Sequence, residues 1–567
     1  MINVNTHIDI DQLHLKDFQL GLIPKMEEKK KEKISLSTEV LVIGGGLAGI
    51  VLALDLLDSG KRVILVDRDS EDRLGGLARL SFGGIFMVDT PIQRWNGIED
   101  NNSLALSDWY STAEFSEEDK LPKLWAKEYV NRSLEDIFYY LKGKSVGFFP
   151  VVHWVERGLF KPGNSVPRFH MVWGTGEGLI SALKKNLYSH KNLNRLHFIF
   201  GTRAKELIRS GKRIQGCIAE SETDGIKYEI FAEHTVLASG GIAGDMKKVR
   251  KYWPRSLGKP PETILNGSHK YAIGDLHTAS AKIGANLTHL DKMWNYAAGV
   301  HHPDPKWEGE GLSLVPPKSA LWLNSRGERI GPIPLVTGFD TRYLVERICA
   351  QEEKFSWQIM NWKIAVKELA VSGSEFNESI RNKDFFGFLK TLFFGNESFL
   401  KKISSECIDF VVADSISELA EGMNQLNEDR SIDGDRLEKT ILEYDEMIER
   451  GEVFHNDDQL RRIVQLRNYR GDRARTCKFQ KILDRKAKPL IAIREFILTR
   501  KSMGGIQTDL RSRVLDPKGN PIEGLYAVGE AAGFGGGGIH GKGALEGTFL
   551  GSCILTSRIA ARSIIKT

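Results

Sequence analysis

The sequence predicts an α/β fold, a Rossmann-type nucleotide domain interrupted by an inserted α+β capping domain, and three observations predict it. A short apolar run, Glu39-Val40-Leu41-Val42-Ile43, leads directly into Gly44-Gly45-Gly46-Leu47-Ala48-Gly49 and then into a helical stretch. Strand-like segments cluster around 204–238 and a further one lies at 526–528. Between them, from about 291 to 481, Trp, Pro and charged residues alternate irregularly. At 567 residues the chain exceeds what one hydrophobic core usually supports. We therefore expect a polar arm over 1–35, a nucleotide domain split between 36–290 and 482–567, and a capping domain over 291–481.

The elements follow in order. Val40–Ile43 is short and apolar on both faces, as a strand buried in a parallel sheet must be. The apolar residues from Ile50 to Leu57 recur at helical spacing, and Gly60 ends that helix. Arg62-Val63-Ile64-Leu65-Val66 is a second buried strand, closing on Asp67 and completing a βαβ unit. The glycines have separate physical tasks: Gly44 permits the tight turn, Gly46 lets the backbone approach a pyrophosphate, and Gly49 lets helix and strand pack closely. The helix start offers free N–H groups and a positive dipole end to phosphates, and Asp67 can accept hydrogen bonds from ribose hydroxyls. Gly75-Gly76 and Gly83-Gly84 punctuate the next loop, and residues 103–142 read as helical. Ala204–Ile208, Arg213–Ile218 and Tyr228–Phe231 read as short strands, and Thr235–Ala238 runs into Ser239-Gly240-Gly241. Asp435–Arg450 reads as a charged surface helix of the insert.

Composition narrows the function classes. A hydrophobic fraction of 41% and a charged fraction of 27% are those of a globular chain, and a net charge of +5 over this length is too diffuse to argue for nucleic acid. The N-terminal stretch carries a lysine-rich run from Lys25 to Lys33 and reads as a solvated arm. Val40–Leu57 contains three consecutive glycines and Asp55, so it does not read as a membrane span. Cys217, Cys349, Cys407, Cys477 and Cys553 are scattered without a Cys-x-x-Cys pair. No disulfide framework, iron–sulfur site or metal site is expected, and a reducing, cytoplasmic compartment is.

Tyr526-Ala527-Val528-Gly529-Glu530 is a strand ending in Gly and Glu, followed by a glycine-rich loop and an apolar helix from about Ala544. Together with Gly44–Gly49, Gly75-Gly76, Ala238–Gly241 and Met503-Gly504-Gly505, it resembles the flavoprotein superfamily of succinate dehydrogenases, fumarate reductases and 3-ketosteroid dehydrogenases from about 38 to 563. Gly163–His170 and Ala544–Gly551 look like the FAD-binding dehydrogenases related to the ketosteroid enzymes. The resemblance implies FAD, held by Gly44, Gly46, Leu47, Ala48 and Gly49, by Asp67 and Arg68, and by Gly75, Gly76, Gly83 and Gly84. It places Ala204 over the adenine, Ser239 and Gly240 beside the cofactor, and Gly529 and Glu530 at the flavin's sugar-like chain. Ala544, Leu545 and Thr548, at the start of the last helix, would face the flavin pyrimidine. Succinate dehydrogenases attach FAD through a histidine in the loop matched here by Gly75–Gly84; that loop has none, which implies non-covalent FAD.

The same comparison bears on the substrate. The arginine with which fumarate reductases clamp a dicarboxylate falls at Ala544, and their histidine before Met-Gly-Gly falls near Arg500-Lys501, which disfavours such a substrate. The ketosteroid branch has a catalytic tyrosine where this chain has His540, a competent acid–base group near neutral pH. Lys542 could polarise a carbonyl or remain solvated. His170, before Trp173-Gly174-Thr175-Gly176, and Arg342 with Tyr343 in the insert are further catalytic candidates beside structural readings. Arg500 and Lys501 could set charge near the flavin, and Glu546 is an alternative base or a solvated first-turn carboxylate. The expected activity is dehydrogenation of a bulky ketone-like or steroid-like small molecule, by proton abstraction and hydride transfer to flavin N5. Alternatives are an enone- or fumarate-type reductase and a non-catalytic FAD-stabilised binding protein. With no Cys-x-x-Cys-His haem motif, electrons would pass to a separate quinone or redox protein.

Overall fold

The computed structural model describes residues 33–567. Residues 1–32 of the expected arm lie outside the described residues. Its last three positions are sheet: they open the strand Lys33–Ile43, which runs parallel to Lys227–Leu237 from Lys33 opposite Lys227 to Ile43 opposite Leu237. Exposure alternates at its start, with Ser35 and Ser37 outward and Ile34 and Leu36 half-buried, before burial becomes complete from Val40. That alternation carries the strand six residues upstream of the apolar run.

Three further parallel pairings build the nucleotide-type sheet. Val63–Val66 lies beside Lys33–Ile43, Leu196–Ile199 lies beyond it, and Pro521–Ala527 pairs with the far side of Lys227–Leu237. Thr202–Ser210, Arg213–Ser221 and Lys227–Leu237 form an antiparallel extension, and Arg513–Leu515 closes the edge. The helix Leu47–Asp58 crosses between the first two strands with ten of its twelve residues buried. It is packed against the sheet and against the last helix, Thr548–Ile565, so an apolar surface all round is what its position demands. Close approach explains two glycines. A Cβ on Gly49 would stand 1.9 Å from the Gly44 carbonyl oxygen, and one on Gly44, at φ +113, would stand 2.4 Å from that of Ala238.

The second sheet is ordered Leu321–Leu323, Phe355–Asn361, Leu490–Ser502, Met293–His301, Gly311–Val315, Ala370–Val371, with Phe410–Ala413 and Leu265–Asn266 added to Leu490–Ser502. The expected boundaries therefore cut through it. Leu265–Asn266 precedes 290, and the long central strand Leu490–Ser502 follows 482. The reason is that this strand is buried from Leu490 to Thr499 at every position but Arg494, which suits the middle of a sheet covered on both faces. It then carries Arg500, Lys501 and Ser502 back toward the first sheet. Around this sheet pack the helices of the insert, including Gly434–Glu449. Among the described residues no helix is long and apolar enough to cross a membrane, and no group of His, Cys, Asp and Glu could hold a metal ion.

Candidate active site

A cleft with about 1670 Å³ of unfilled space, its open mouth included, is walled by both sheets. At its centre Gly46 caps the helix Leu47–Asp58. No side chain caps that helix and no acidic residue stands in its first turn. A Cβ on Gly46 would meet nothing within 4 Å. Free backbone donors, a positive dipole end and open space form a cradle for an anion. Leu47, Ala48, Gly75, Gly76, Ser239 and Gly240 complete this part of the wall.

Toward one end lie Asp67, Arg68, Ala204 and Tyr271. Asp67 Oδ2 accepts from Gly45 N and Oδ1 from Asp69 N at 2.7 Å, while burial pushes its pKa up. The Arg68 guanidinium lies 4.4 Å over the Tyr271 ring, donates through Nε to Glu222 at 2.9 Å, and holds Nη1 3.7 Å from Asp275 Oδ2. A carboxylate placed to accept from ribose hydroxyls and an aromatic face suit the nucleoside end of a dinucleotide. The residues present therefore fit a dinucleotide whose diphosphate rests at Gly46.

At the other end the wall consists of Gly83, Gly84, Phe169, Tyr296, Arg500, Lys501, Glu530, Glu546 and Phe549. Here the strands Met293–His301 and Leu490–Ser502 bring together a hydrogen-bonded chain. Lys501 Nζ lies 3.2 Å from Tyr296 Oη, to which it donates, and Tyr296 Oη donates to Glu546 Oε1 at 2.7 Å. Trp294 Nε1 donates to the same carboxylate oxygen at 2.6 Å. Trp294 and Tyr296 stand two apart on one strand and so share a face. Burial lowers the Lys501 ammonium to about 8, against the pull of Glu546, and its Nζ sits 4.0 Å over the Phe549 ring. Burial, reinforced by Glu546, pushes the Tyr296 phenol well above its ordinary value. Arg500 spends Nη1 on the Gly267 carbonyl, and burial lowers its pKa. Glu530 Oε1 accepts from Ser502 N at 2.9 Å and Oγ at 3.1 Å, with its pKa raised by burial.

Several sequence expectations need correction. His540 does not reach the cleft: its ring is fully enclosed, stacked on Trp109 at 5.9 Å and packed on Phe534 and Phe549. Its Nε2 is 2.9 Å from Thr548 Oγ1, and burial pushes its pKa down to about 3. The glycine loop around it is packed, not open. Cβ atoms on Gly535 and Gly536 would strike Trp125, and one on Gly541 would lie 2.3 Å from the Ala113 carbonyl oxygen. Lys542 is exposed, 3.5 Å from Glu114. Arg342 is held by Glu346 at 2.7 Å and Glu114 at 3.0 Å in the wall of a separate, smaller cavity. His170 is buried between Thr90 Oγ1 at 2.7 Å and the Arg168 carbonyl at 2.8 Å, with its pKa lowered to about 4 by burial. Its neighbour Phe169 lines the cleft, so strand alternation turns His170 away.

Among the expected cofactor contacts, Gly49, Gly529, Ala544, Leu545 and Thr548 are not in the cleft wall. Gly49 and Gly529 instead allow close packing, the latter against Ala48 and Cys553. The last helix begins at Thr548, not near Ala544. Ala544 and Leu545 are buried in the preceding turn, Thr548 Oγ1 bonds the Leu545 carbonyl at 2.6 Å, and Glu546, Gly547, Phe549 and Leu550 face the cleft instead. Tyr296 and Trp294 are functional residues that the sequence reading misses; the available signal is two aromatic residues at alternate positions, 294 and 296, just inside the expected cap.

The chain matches the family described as FAD binding domain over residues 39–550. It is 38% identical over 547 residues to a KsdD-like steroid dehydrogenase of Mycobacterium tuberculosis, covering 93% of this chain and 95% of that one. It is 38% identical over 530 residues to a KsdD-like steroid dehydrogenase of Mycolicibacterium smegmatis, covering 90% and 96%. The fold is similar to that of 3-ketosteroid delta1-dehydrogenase from Sterolibacterium denitrificans, with a TM-score of 0.68 at 16% identity over 94% of this chain and 99% of that one. The dinucleotide for which the Gly46 cradle is built is thus FAD, and the chain belongs to the FAD binding domain family.

Proposed function

We propose that this chain is an FAD-dependent dehydrogenase that introduces a C=C bond beside the carbonyl of a bulky, steroid-like ketone. The observation that carries the reading is the chain Lys501–Tyr296–Glu546 at the end of the cleft away from the adenine side. The near-full-length similarity to KsdD-like steroid dehydrogenases supports the substrate class. FAD, when bound, supplies the hydride acceptor. Tyr296 Oη takes a proton from the substrate carbon as it passes its own to Glu546 Oε1, and Trp294 Nε1 holds that carboxylate in place. The Lys501 ammonium stabilises negative charge developing on the tyrosyl or substrate oxygen. Arg500 is engaged with a backbone carbonyl and Ala544 offers no guanidinium, so a paired carboxylate clamp is missing from this set.

The same groups serve the reverse, enone-reducing direction, since both transfers are reversible; the partner that takes the electrons sets the direction. A separate quinone or redox protein is the proposed electron partner. All five cysteines are unpaired, which supports a reducing, cytoplasmic location. Steady-state turnover of 3-ketosteroids with a dye acceptor, set against oxidation of reduced dye by fumarate, tests the reading. Steroid-dependent dye reduction is expected; efficient fumarate reduction without steroid turnover overturns it.

A further inference from the structure

The helix Phe385–Phe394, FFGFLKTLFF, has no buried residue. Phe385, Phe386, Phe393 and Phe394 are 56%, 82%, 64% and 79% exposed, an unusual concentration of aromatic surface on one short element. The helix is not loosely attached. Its inner side is fixed by Phe388, whose ring lies 5.0 Å from Phe149 and 6.0 Å from Trp173, and Asp384 caps its first turn by accepting from Gly387 N at 2.9 Å. Phe386, Lys390 and Phe394 stand four apart, so they form a single outward stripe. Phe393 widens it.

Lysines stand in and beside the stripe. Lys390 lies within it, Lys383 precedes the helix, and Lys402 on the next helix, Glu397–Glu406, is exposed as well. Of the carboxylates flanking the helix, Asp384 accepts from Gly387 N, Glu397 pairs with Lys401 at 2.9 Å and Glu378 lies 4.0 Å from Arg381. Bulky apolar side chains interleaved with lysines match the interfacial region of a bilayer carrying anionic lipids. There the rings enter the acyl boundary and the ammonium groups stay among the headgroups. No described helix can span a bilayer, so the contact would be one-sided.

We propose that Phe385–Phe394 is a membrane-surface anchor that seats the enzyme on an anionic lipid bilayer. The position of the helix gives the contact a use. Phe388 belongs to an aromatic cluster with Phe149, Trp173, Phe82 and Phe169, and Phe82 and Phe169 line the cleft. Thus one continuous cluster of aromatic side chains runs from beneath the exposed stripe to the cleft wall. An apolar substrate dissolved in lipid, and a lipid-soluble electron acceptor, are then within reach without crossing water. This use rests on the proposed function; the lipid contact does not.

The test is co-sedimentation of the flavin-loaded full chain with vesicles of phosphatidylcholine alone and of phosphatidylcholine mixed with phosphatidylglycerol. The wild type is expected to pellet with the anionic vesicles. The double variant Phe386→Ser/Phe394→Ser is expected to bind them at least about tenfold more weakly, while retaining its flavin and its turnover of dissolved substrate with dye. Wild type that stays in the supernatant, or a double variant that pellets equally well, overturns the proposal. So does a wild-type dimer that the double variant dissociates, since the stripe would then be covered by a second copy. Loss of steroid turnover in the wild type with vesicle binding intact would overturn the function reading alone.

Discussion

Replacing Tyr296 by Phe removes one oxygen and keeps the ring. That oxygen donates to Glu546 Oε1 at 2.7 Å and faces Lys501 Nζ at 3.2 Å, while the Trp294 bond to Glu546, at 2.6 Å, survives. A hydrogen bond to a charged partner contributes about 1.5–3 kcal/mol. If the hydroxyl only positioned its neighbours, losing it would therefore slow the reaction by roughly 10- to 150-fold at most. As the group that moves the proton it is worth about 10²–10⁴. Tyr296→Phe should lower kcat for 3-ketosteroid dehydrogenation by about 10³-fold with little change in KM. The assay is dye reduction normalised to bound flavin, so that cofactor loss is not mistaken for lost chemistry. A kcat within about 150-fold of wild type at equal flavin content would refute the assignment, since a positioning role alone accounts for it.

Three other outcomes follow from the same geometry. Lys501, lowered to about 8 by burial, loses its charge as pH rises through that value; activity should fall on the alkaline side, and Lys501→Met should be slow at all pH with that limb absent from its kcat profile. His540, held near 3 by burial, is neutral in the fold but takes a proton on unfolding below its ordinary 6.5. Its contribution to stability is thus complete above 6.5 and lost as pH falls toward 3. His540→Phe should keep turnover and make urea unfolding less acid-sensitive between pH 6.5 and 4, whereas an inactive, flavin-loaded variant would contradict its enclosed position. Gly49→Ala puts a Cβ 1.9 Å from the Gly44 oxygen, so the helix start must move from the strand and purified protein should carry little FAD, read from its flavin-to-protein absorbance ratio.

The first βαβ unit was legible because each of its signals is local: apolar strand, spaced glycines, buried helix, Asp67. The cleft wall from Gly44 to Gly84 follows from the same short stretch. The opposite end was legible only in part. Glu546, Arg500 and Lys501 were candidates in the sequence, but their partners Tyr296 and Trp294 come from a strand some 200 residues away, and only sheet pairing brings them there. His540 misled for a physical reason. Glycines around a histidine are equally compatible with a mobile catalytic loop and with backbone packed hard against helices, and Trp125 and Ala113 impose the second. His170 shows the limit of proximity, since one residue of strand alternation separates a cleft residue from a core residue. The strand Leu490–Ser502 pairs along its length with the second sheet, while its last residue, Ser502, also donates to Glu530 just beyond the first sheet's strand Pro521–Ala527, so no single position in the sequence separates the two sheets.

The most direct test is a single anaerobic mixing of the purified yellow protein with one equivalent of a saturated-ring 3-ketosteroid. Rapid bleaching of the flavin band, with an equimolar amount of the corresponding 1,2- or 4,5-alkene recovered, is the predicted result. An unchanged flavin spectrum with every 3-ketosteroid tried, in protein whose dithionite-reduced flavin is promptly reoxidised by fumarate, would contradict the account.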